Sequence, residues 1–155
     1  MSIRRATVDD IPVIADGAAR FVSQSPFAPF AQFSKDAFTP VARWLIEGES
    51  SVAFVAEVNG EVVGAIVGML APLWFSPSVI LGSEIGWWVN EEHRGSTVGG
   101  RLLIAFERWA TERGASAVTL SDLIVSDANS GVRGLDLMMQ RARYTMAERC
   151  YLKEV

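Results

Sequence analysis

Apolar residues dominate two adjacent runs, SSVAFVAEV at 50–58 and EVVGAIVGML at 61–70, with only Asn59–Gly60 between them. Both runs are rich in β-branched residues, and Asn-Gly readily takes the positive φ angles of a tight turn, so the pattern predicts a hairpin. Upstream the period becomes helical. Ile11, Ile14, Ala15, Ala18 and Val22 recur every three or four positions, predicting an amphipathic helix to about residue 22. Asp9 and Asp10 supply its N-cap, and Pro12 sits in the first turn, where a missing N–H costs nothing. A second helix carries Phe38, Val41, Ala42, Leu45 and Ile46 on its core face and stops at Glu47–Gly48. Its start is open between Ser34 and Thr39–Pro40.

SIRRAT at 2–7 reads as a short first strand. SQSPFAPFAQFS at 23–34 and APLWFSPS at 71–78 each hold two prolines and read as loops with aromatic anchors. VILGSEIGWWV at 79–89 is another strand. From Val98, the residues Leu102, Leu103, Phe106, Trp109 and Ala110 mark a helix that Gly114 closes. ASAVTLSDLIV at 115–125 predicts a strand, and SDANSG at 126–131 opens a last helix bearing Leu135, Leu137, Met138 and Met139. RYTMAERCYLKEV at 143–155 alternates as a final strand, with Tyr144, Met146, Cys150 and Leu152 on one face. The order β-α-α-β-β-β-α-β-α-β predicts one α/β domain over 1–155, a mixed sheet with helices on both faces.

Composition narrows the function classes. A chain of 155 residues, half of them hydrophobic and 21% charged, fits a single globular domain. Its net charge of −4 argues against a surface built for nucleic acid. One cysteine, Cys150, allows no internal disulfide and reads as a small apolar filler. With a single histidine besides, a metal site would need mostly carboxylates, so none is expected. No apolar run reaches the ~18 residues of a membrane helix. MSIRRATVDD lacks the apolar core of a signal peptide, and a cytoplasmic location is the expectation.

The chemistry concentrates in EEHRGSTVGGRLL at 91–103, glycine-rich and placed between a strand and a helix. On one reading such glycines mark only a tight turn. They also let backbone N–H groups close around a phosphate at the positive end of a helix dipole. Gly95 and Gly100 satisfy G-x-x-x-x-G, but Arg101 and Leu102 follow where a nucleotide-triphosphate loop needs Lys and Ser/Thr. Leu102 cannot ligate magnesium, which argues against that loop.

The segment VNEEHRGSTVG, together with the element order, resembles the GNAT superfamily of N-acetyltransferases, whose pyrophosphate loop reads V-x-P-x-x-R-G-x-G-x-G in outline. Val89, Arg94, Gly95 and Gly99 fall on matching positions, and the resemblance runs from Ile3 to Lys153. APLWF and EEHRG also resemble small bacteriophage members of that superfamily. The resemblance implies a mixed, largely antiparallel twisted sheet of six or seven strands flanked by about four helices. It implies acetyl-CoA as co-substrate, held by Trp88, Val89, Arg94, Gly95, Ser96, Thr97, Val98, Gly99, Gly100 and Asn129. Two departures stand out: Asn90–Glu91 replaces the residue–proline pair, and Thr97 replaces the middle glycine. Threonine at a positive φ would cost about 1–3 kcal/mol. With helical dihedrals it fits, and its hydroxyl can donate to a phosphate, which is the expectation here.

Acetyl transfer needs an amine freed of its proton, a polarised thioester carbonyl and a departing thiolate. The resemblance implies that a backbone N–H near Val89 faces the carbonyl. Glu84, the only carboxylate in an apolar strand, is the first candidate base, since desolvation raises a carboxyl pKa. In a regular strand Glu84 and Val89 face opposite sides, so a bulge is needed to align them. The other reading pairs Glu84 with a core-edge arginine. Asp122 is the second candidate base, or else a solvated strand-end acid, while His93 reads as a solvated loop residue.

The family's proton-donating tyrosine falls at Met139, and Val132 takes the matching asparagine position. Either Asn129 substitutes through a shifted helix or the thiolate, with a thiol pKa of ~8.5, leaves unaided. Phe27, Phe30, Phe33, Trp74, Phe75 and Trp87 are expected around the acceptor, or serve as plain loop anchors. Trp87 and Trp88 point to opposite faces, so at most one reaches it. The expected activity is acetyl-CoA-dependent N-acetylation of a primary amine by direct attack. The alternative is a catalytically decayed CoA-binding or protein-interaction module on the same fold. The resemblance also implies a possible homodimer, with the final strand offering an edge.

Overall fold

The computed structural model describes residues 1–121, 132–148 and 150–153. A five-stranded sheet runs in the order β1 (Ser2–Arg5), β2 (Ser51–Val58), β3 (Glu61–Leu73), β4 (Ser76–Val89) and β5 (Ala117–Thr119). The first four strands pair antiparallel, and β5 joins β4 in parallel. Helices α1 (Ile11–Gln24) and α2 (Lys35–Glu47) precede the main hairpin, α3 (Val98–Glu112) links β4 to β5, and α4 (Val132–Arg141) follows. This is the mixed α/β sheet the element order predicts.

Alternation along β2 and β3 builds two cores. Val52, Ala56 and Ile66 pack with Leu102, Phe106 and Trp109 of α3 on one face. Ala53, Val55 and Ala65 pack with Ile14 of α1 and with Phe38 and Ile46 of α2 on the other. The hairpin turn holds Asn59 at φ +54° and Gly60 at φ +86°, the pair of positive angles that Asn-Gly tolerates.

Local chemistry departs from the expected cap at the start of α1, settles the open start of α2, and keeps its expected end at Gly48. Asp10 does not cap α1 forward. Its Oδ2 accepts from the Thr7 N–H at 2.7 Å, and both its oxygens accept from the Arg4 guanidinium at 2.7 Å. Arg4 also donates to Glu57 on β2, so one cation ties β1, β2 and the entry to α1. Ser34 caps α2 by accepting from the Ala37 N–H at 3.3 Å, and Pro40 lies inside the helix. Gly48 ends α2 in an extended conformation, where a Cβ would stand 2.8 Å from the Trp44 carbonyl.

Two strand expectations change. APLWFSPS is not a loop: β3 continues to Leu73 and β4 begins at Ser76, leaving only Trp74 and Phe75 in the turn. Pairing jumps from Leu73–Ser76 to Pro72–Ile80, so Pro77 sits in an irregularity where no ladder bond is lost. Six or seven strands give way to five among the described residues, because residues 144–148 and 150–153 form no strand. Of the predicted apolar face there, only Tyr144 packs against the α3 core, while Met146, Cys150 and Leu152 are exposed. The edge that the final strand was to offer a second copy is therefore missing among the described residues.

Candidate functional site

Strand β4 carries the irregularity that positions its carboxylate. Gly86 faces Val67 and Glu84 faces Gly68, which leaves Ile85 as one extra residue on β4. The bulge cancels the odd spacing between Glu84 and Val89. Gly64 and Gly68 both turn toward α3, where added Cβ atoms would meet Leu102 and Phe106 respectively. Their partners Val89 and Glu84 therefore share that face.

Pairing between β4 and β5 stops at Ser83 and Thr119, whose side chains meet as Thr119 Oγ1 donates to Ser83 Oγ at 3.1 Å. One residue further the strands are linked by the carboxylate itself. The Ser121 N–H donates to Glu84 Oε2 at 3.1 Å. Desolvation pushes the Glu84 carboxyl up to about 7, against the opposing pull of the Ser121 N–H. No arginine pairs with it among the described residues. The carboxylate thus sits where two parallel strands part, half in its charged form near neutrality.

The glycine-rich segment follows at once. A 3-10 turn at Glu91–His93 leads to Gly95 at φ +76°, an angle that suits glycine alone, and then to Thr97 and the first turn of α3. Thr97 has φ −81° and ψ −2°, so its side chain is unstrained. Not every amide here is available. The Ser96 N–H donates to the His93 carbonyl at 3.3 Å and the Val98 N–H to Ser96 Oγ at 3.3 Å. The N–H groups of Gly95, Thr97, Gly99 and Gly100 find no acceptor among the described residues. Arg94 braces the loop by donating from Nε to the Val89 carbonyl at 3.1 Å, and Arg101 is exposed on the first turn of α3. Four unengaged donors at a helix N-terminus, flanked by two guanidinium groups, form an anion cradle of the kind a diphosphate fits.

On the opposite face a cavity of about 300 Å³ opens between α1 and the end of β4, lined by Gly17, Arg20, Trp88, Val89, Asn90 and Glu92 among others. Trp88 lies so close over α1 that a Cβ on Gly17 would stand 2.2 Å from its indole. Trp87 points the other way, into the α3 core, 3.3 Å from where a Gly99 Cβ would be. Val89 borders both regions, lining the cavity and touching the α3 core.

A sequence model described as the acetyltransferase (GNAT) family matches residues 19–135, more than half of the chain. The chain belongs to the GNAT acetyltransferase family. Among curated proteins no sequence match is found. Solved structures share the fold at low identity. The ribosomal-protein-alanine N-acetyltransferase from Brucella melitensis biovar Abortus 2308 is 17% identical over 100% of both chains, with a TM-score of 0.70. AAC(6')-Iy in complex with the bisubstrate analog CoA-S-monomethyl-acetylneamine is 14% identical, covering 99% of this chain and 97% of its own, with a TM-score of 0.75. The aminoglycoside acetyltransferase meta-AAC0020 from an uncultured soil metagenomic sample, in complex with sisomicin, is 18% identical over 99% and 93%, with a TM-score of 0.66.

Within this GNAT domain the expected site residues separate into groups. Glu84 and Val89 share the α3-facing side of β4, and the segment from Arg94 to Gly100 follows the end of that strand at the start of α3. Trp88 lines the α1-side cavity rather than the cradle, and Trp87 is half-buried beside the cradle's helix. Phe27 and Phe30 touch edge to face, and Phe33 packs on Phe38 at the start of α2. Trp74 and Phe75 meet edge to face at the hairpin tip, 86% and 66% exposed, and no ring contact joins them to the phenylalanines. Asp122 and Asn129 lie outside the described residues. Met139 packs against the α3 core. Among the described residues no helix is long and apolar enough to cross a membrane, and no cluster of three His, Cys, Asp or Glu could hold a metal.

Sequence reasoning missed Gly17, Arg20, Phe21 and Gln24, the α1 side of the cavity. One signal was present. Gly17 interrupts a helix where alanine would be more stable, and such a glycine marks close approach by a neighbour.

Proposed function

We propose that this protein is an acetyl-CoA-dependent N-acetyltransferase that moves an acetyl group to a primary amine by direct attack. The observation that carries the reading is the Ile85 bulge, which puts Glu84 on the face of Val89 where β4 and β5 part. The cradle suits coenzyme A: Gly95, Thr97, Gly99 and Gly100 would donate to its diphosphate, with Arg94 and Arg101 adding attraction. Bound there, acetyl-CoA would supply the activated acyl group.

Glu84 then acts as the base. With its carboxyl near 7, it accepts the ammonium proton of the acceptor, directly or through water at the open strand edge. Desolvation and the Ser121 N–H oppose each other there, holding the group close to an even balance of forms. As the C–N bond forms and the C–S bond breaks, the sulfur leaves as thiolate, and the second proton on the attacking nitrogen passes to it through water, giving the amide and the free thiol. Met139 cannot donate one, and a thiol pKa of ~8.5 makes that departure feasible without a side-chain acid. Main-chain N–H groups at the free edge of β4 near Val89 are the candidates for polarising the carbonyl. Thiol release from acetyl-CoA, followed with a thiol-reactive dye across a panel of primary amines, tests the reading. Release that depends on amine supports it; CoA binding without release from any amine overturns it.

A further inference from the structure

Four charged side chains line the cavity between α1 and β4, two of each sign. Two of them spend their charge locally. Arg94 approaches Glu91 at 3.7 Å and donates from Nε to the Val89 carbonyl. The other two form no ion pair among the described residues, though the Arg20 charge is felt weakly by Asp16. Arg20 donates from Nη2 to the neutral Asn90 Oδ1 at 3.0 Å, and its guanidinium lies 5.8 Å over the Trp88 ring. Asp16, one turn before it, is ion-paired with Lys35. Glu92 makes no hydrogen bond or ion pair among the described residues. Between these opposite charges stand two apolar walls, the Trp88 indole and Phe21.

We infer that this cavity binds a free α-amino acid with an aromatic or long apolar side chain, its carboxylate on Arg20, its amino group toward Glu92 and its side chain on Trp88 and Phe21. A ligand carrying only an ammonium would leave the Arg20 charge facing it, and one carrying only a carboxylate would face Glu92. A zwitterion answers both, so the same pair attracts one class and repels two others. The cation–π contact with Trp88 and the bond to Asn90 position the guanidinium before any ligand arrives, which favours a forked carboxylate contact. A volume of about 300 Å³ is at the small end for ligand sites and fits a compact molecule. The inference stands apart from the acetyltransferase reading: the cavity lies on the α1 side of the sheet and Glu84 on the α3 side, so the amino acid is bound as a ligand and is not assigned as the acceptor that Glu84 deprotonates.

Calorimetry on the full chain tests it without turnover, using L-phenylalanine, L-phenylalaninamide and 3-phenylpropionate as probes. L-Phenylalanine is expected to bind at least about tenfold more tightly than either analogue. Arg20→Gln should weaken L-phenylalanine by about tenfold or more and leave the amide no weaker, its repulsion by Arg20 being relieved, while Arg20→Lys, which keeps the charge, should hold the loss to about threefold. Glu92→Gln should weaken L-phenylalanine and leave 3-phenylpropionate no weaker, its repulsion by Glu92 being relieved. Equal affinity for the amide and the amino acid, or no heat from any probe at about 10 mM, overturns the inference. The two failures separate cleanly. Heat from acetyl-CoA with none from the amino acid removes this inference alone, and heat from both without thiol release removes the proposed activity alone.

Discussion

At Glu84 two effects oppose each other, loss of solvent around the carboxylate and a hydrogen bond from Ser121 to its charged form. Desolvation prevails, raising the carboxyl from its usual 4.5 to about 7. The sign for catalysis follows: the base is competent only when deprotonated, so turnover should rise as pH passes through about 7 and level above it. Glu84→Gln should cut turnover at least about tenfold, abolish that limb of the profile and leave CoA affinity unchanged. Equal turnover moves the base elsewhere. The sign for stability is the reverse of an ordinary ion-paired acid. Because the folded pKa is above the unfolded one, the contribution is complete below about 4.5 and lost as pH rises through about 7. Glu84→Gln, which keeps an acceptor for Ser121, should therefore be more stable than the parent at pH 8 by about 1–3 kcal/mol and equal to it near pH 4. Denaturant unfolding at both pH values checks this.

Elements are held by a few contacts between distant parts of the chain. Arg4 spans β1, β2 and the start of α1 through Asp10 and Glu57, and holds the Asp10 carboxyl below its usual range. Arg4→Gln should cost about 2–3 kcal/mol at pH 7, because it leaves a buried carboxylate without its cation. That cost should shrink as pH falls and Asp10 protonates, since a depressed folded pKa contributes only above the unfolded one. Likewise, Gly17→Ala should destabilise the domain by about 1–3 kcal/mol, its methyl meeting the Trp88 indole. Thermal melts of both variants read these effects.

Element by element, the chain declares itself where local chemistry and tertiary packing agree. Asn59–Gly60 and the periodic face from Leu102 to Ala110 were legible because turn geometry and helix period needed no distant partner. The β4 bulge was legible only as a requirement of Glu84–Val89 parity; its place at Ile85 depends on pairing with β3. The closing segment misled because alternation at Tyr144, Met146 and Cys150 matches a strand, whereas Tyr144 instead donates to Glu107 on α3 at 2.7 Å. The cavity behind Trp88 stayed hidden because its α1 residues are scattered among ordinary helix positions, and only Gly17 broke the pattern.

For the whole molecule, the sheet sets two working sides at the open end of β4. The cradle and Glu84 lie toward α3, the cavity lies toward α1, and Val89 is common to both. The account depends first on the cradle, because donor binding needs Gly95 at φ +76° and amides left without an acceptor. Titration calorimetry of the parent chain and Gly95→Val with acetyl-CoA addresses this directly. The account predicts micromolar binding to the parent and at least about tenfold weaker binding to the variant. No heat from the parent at about 1 mM acetyl-CoA, or equal affinity in a folded Gly95→Val, would contradict it.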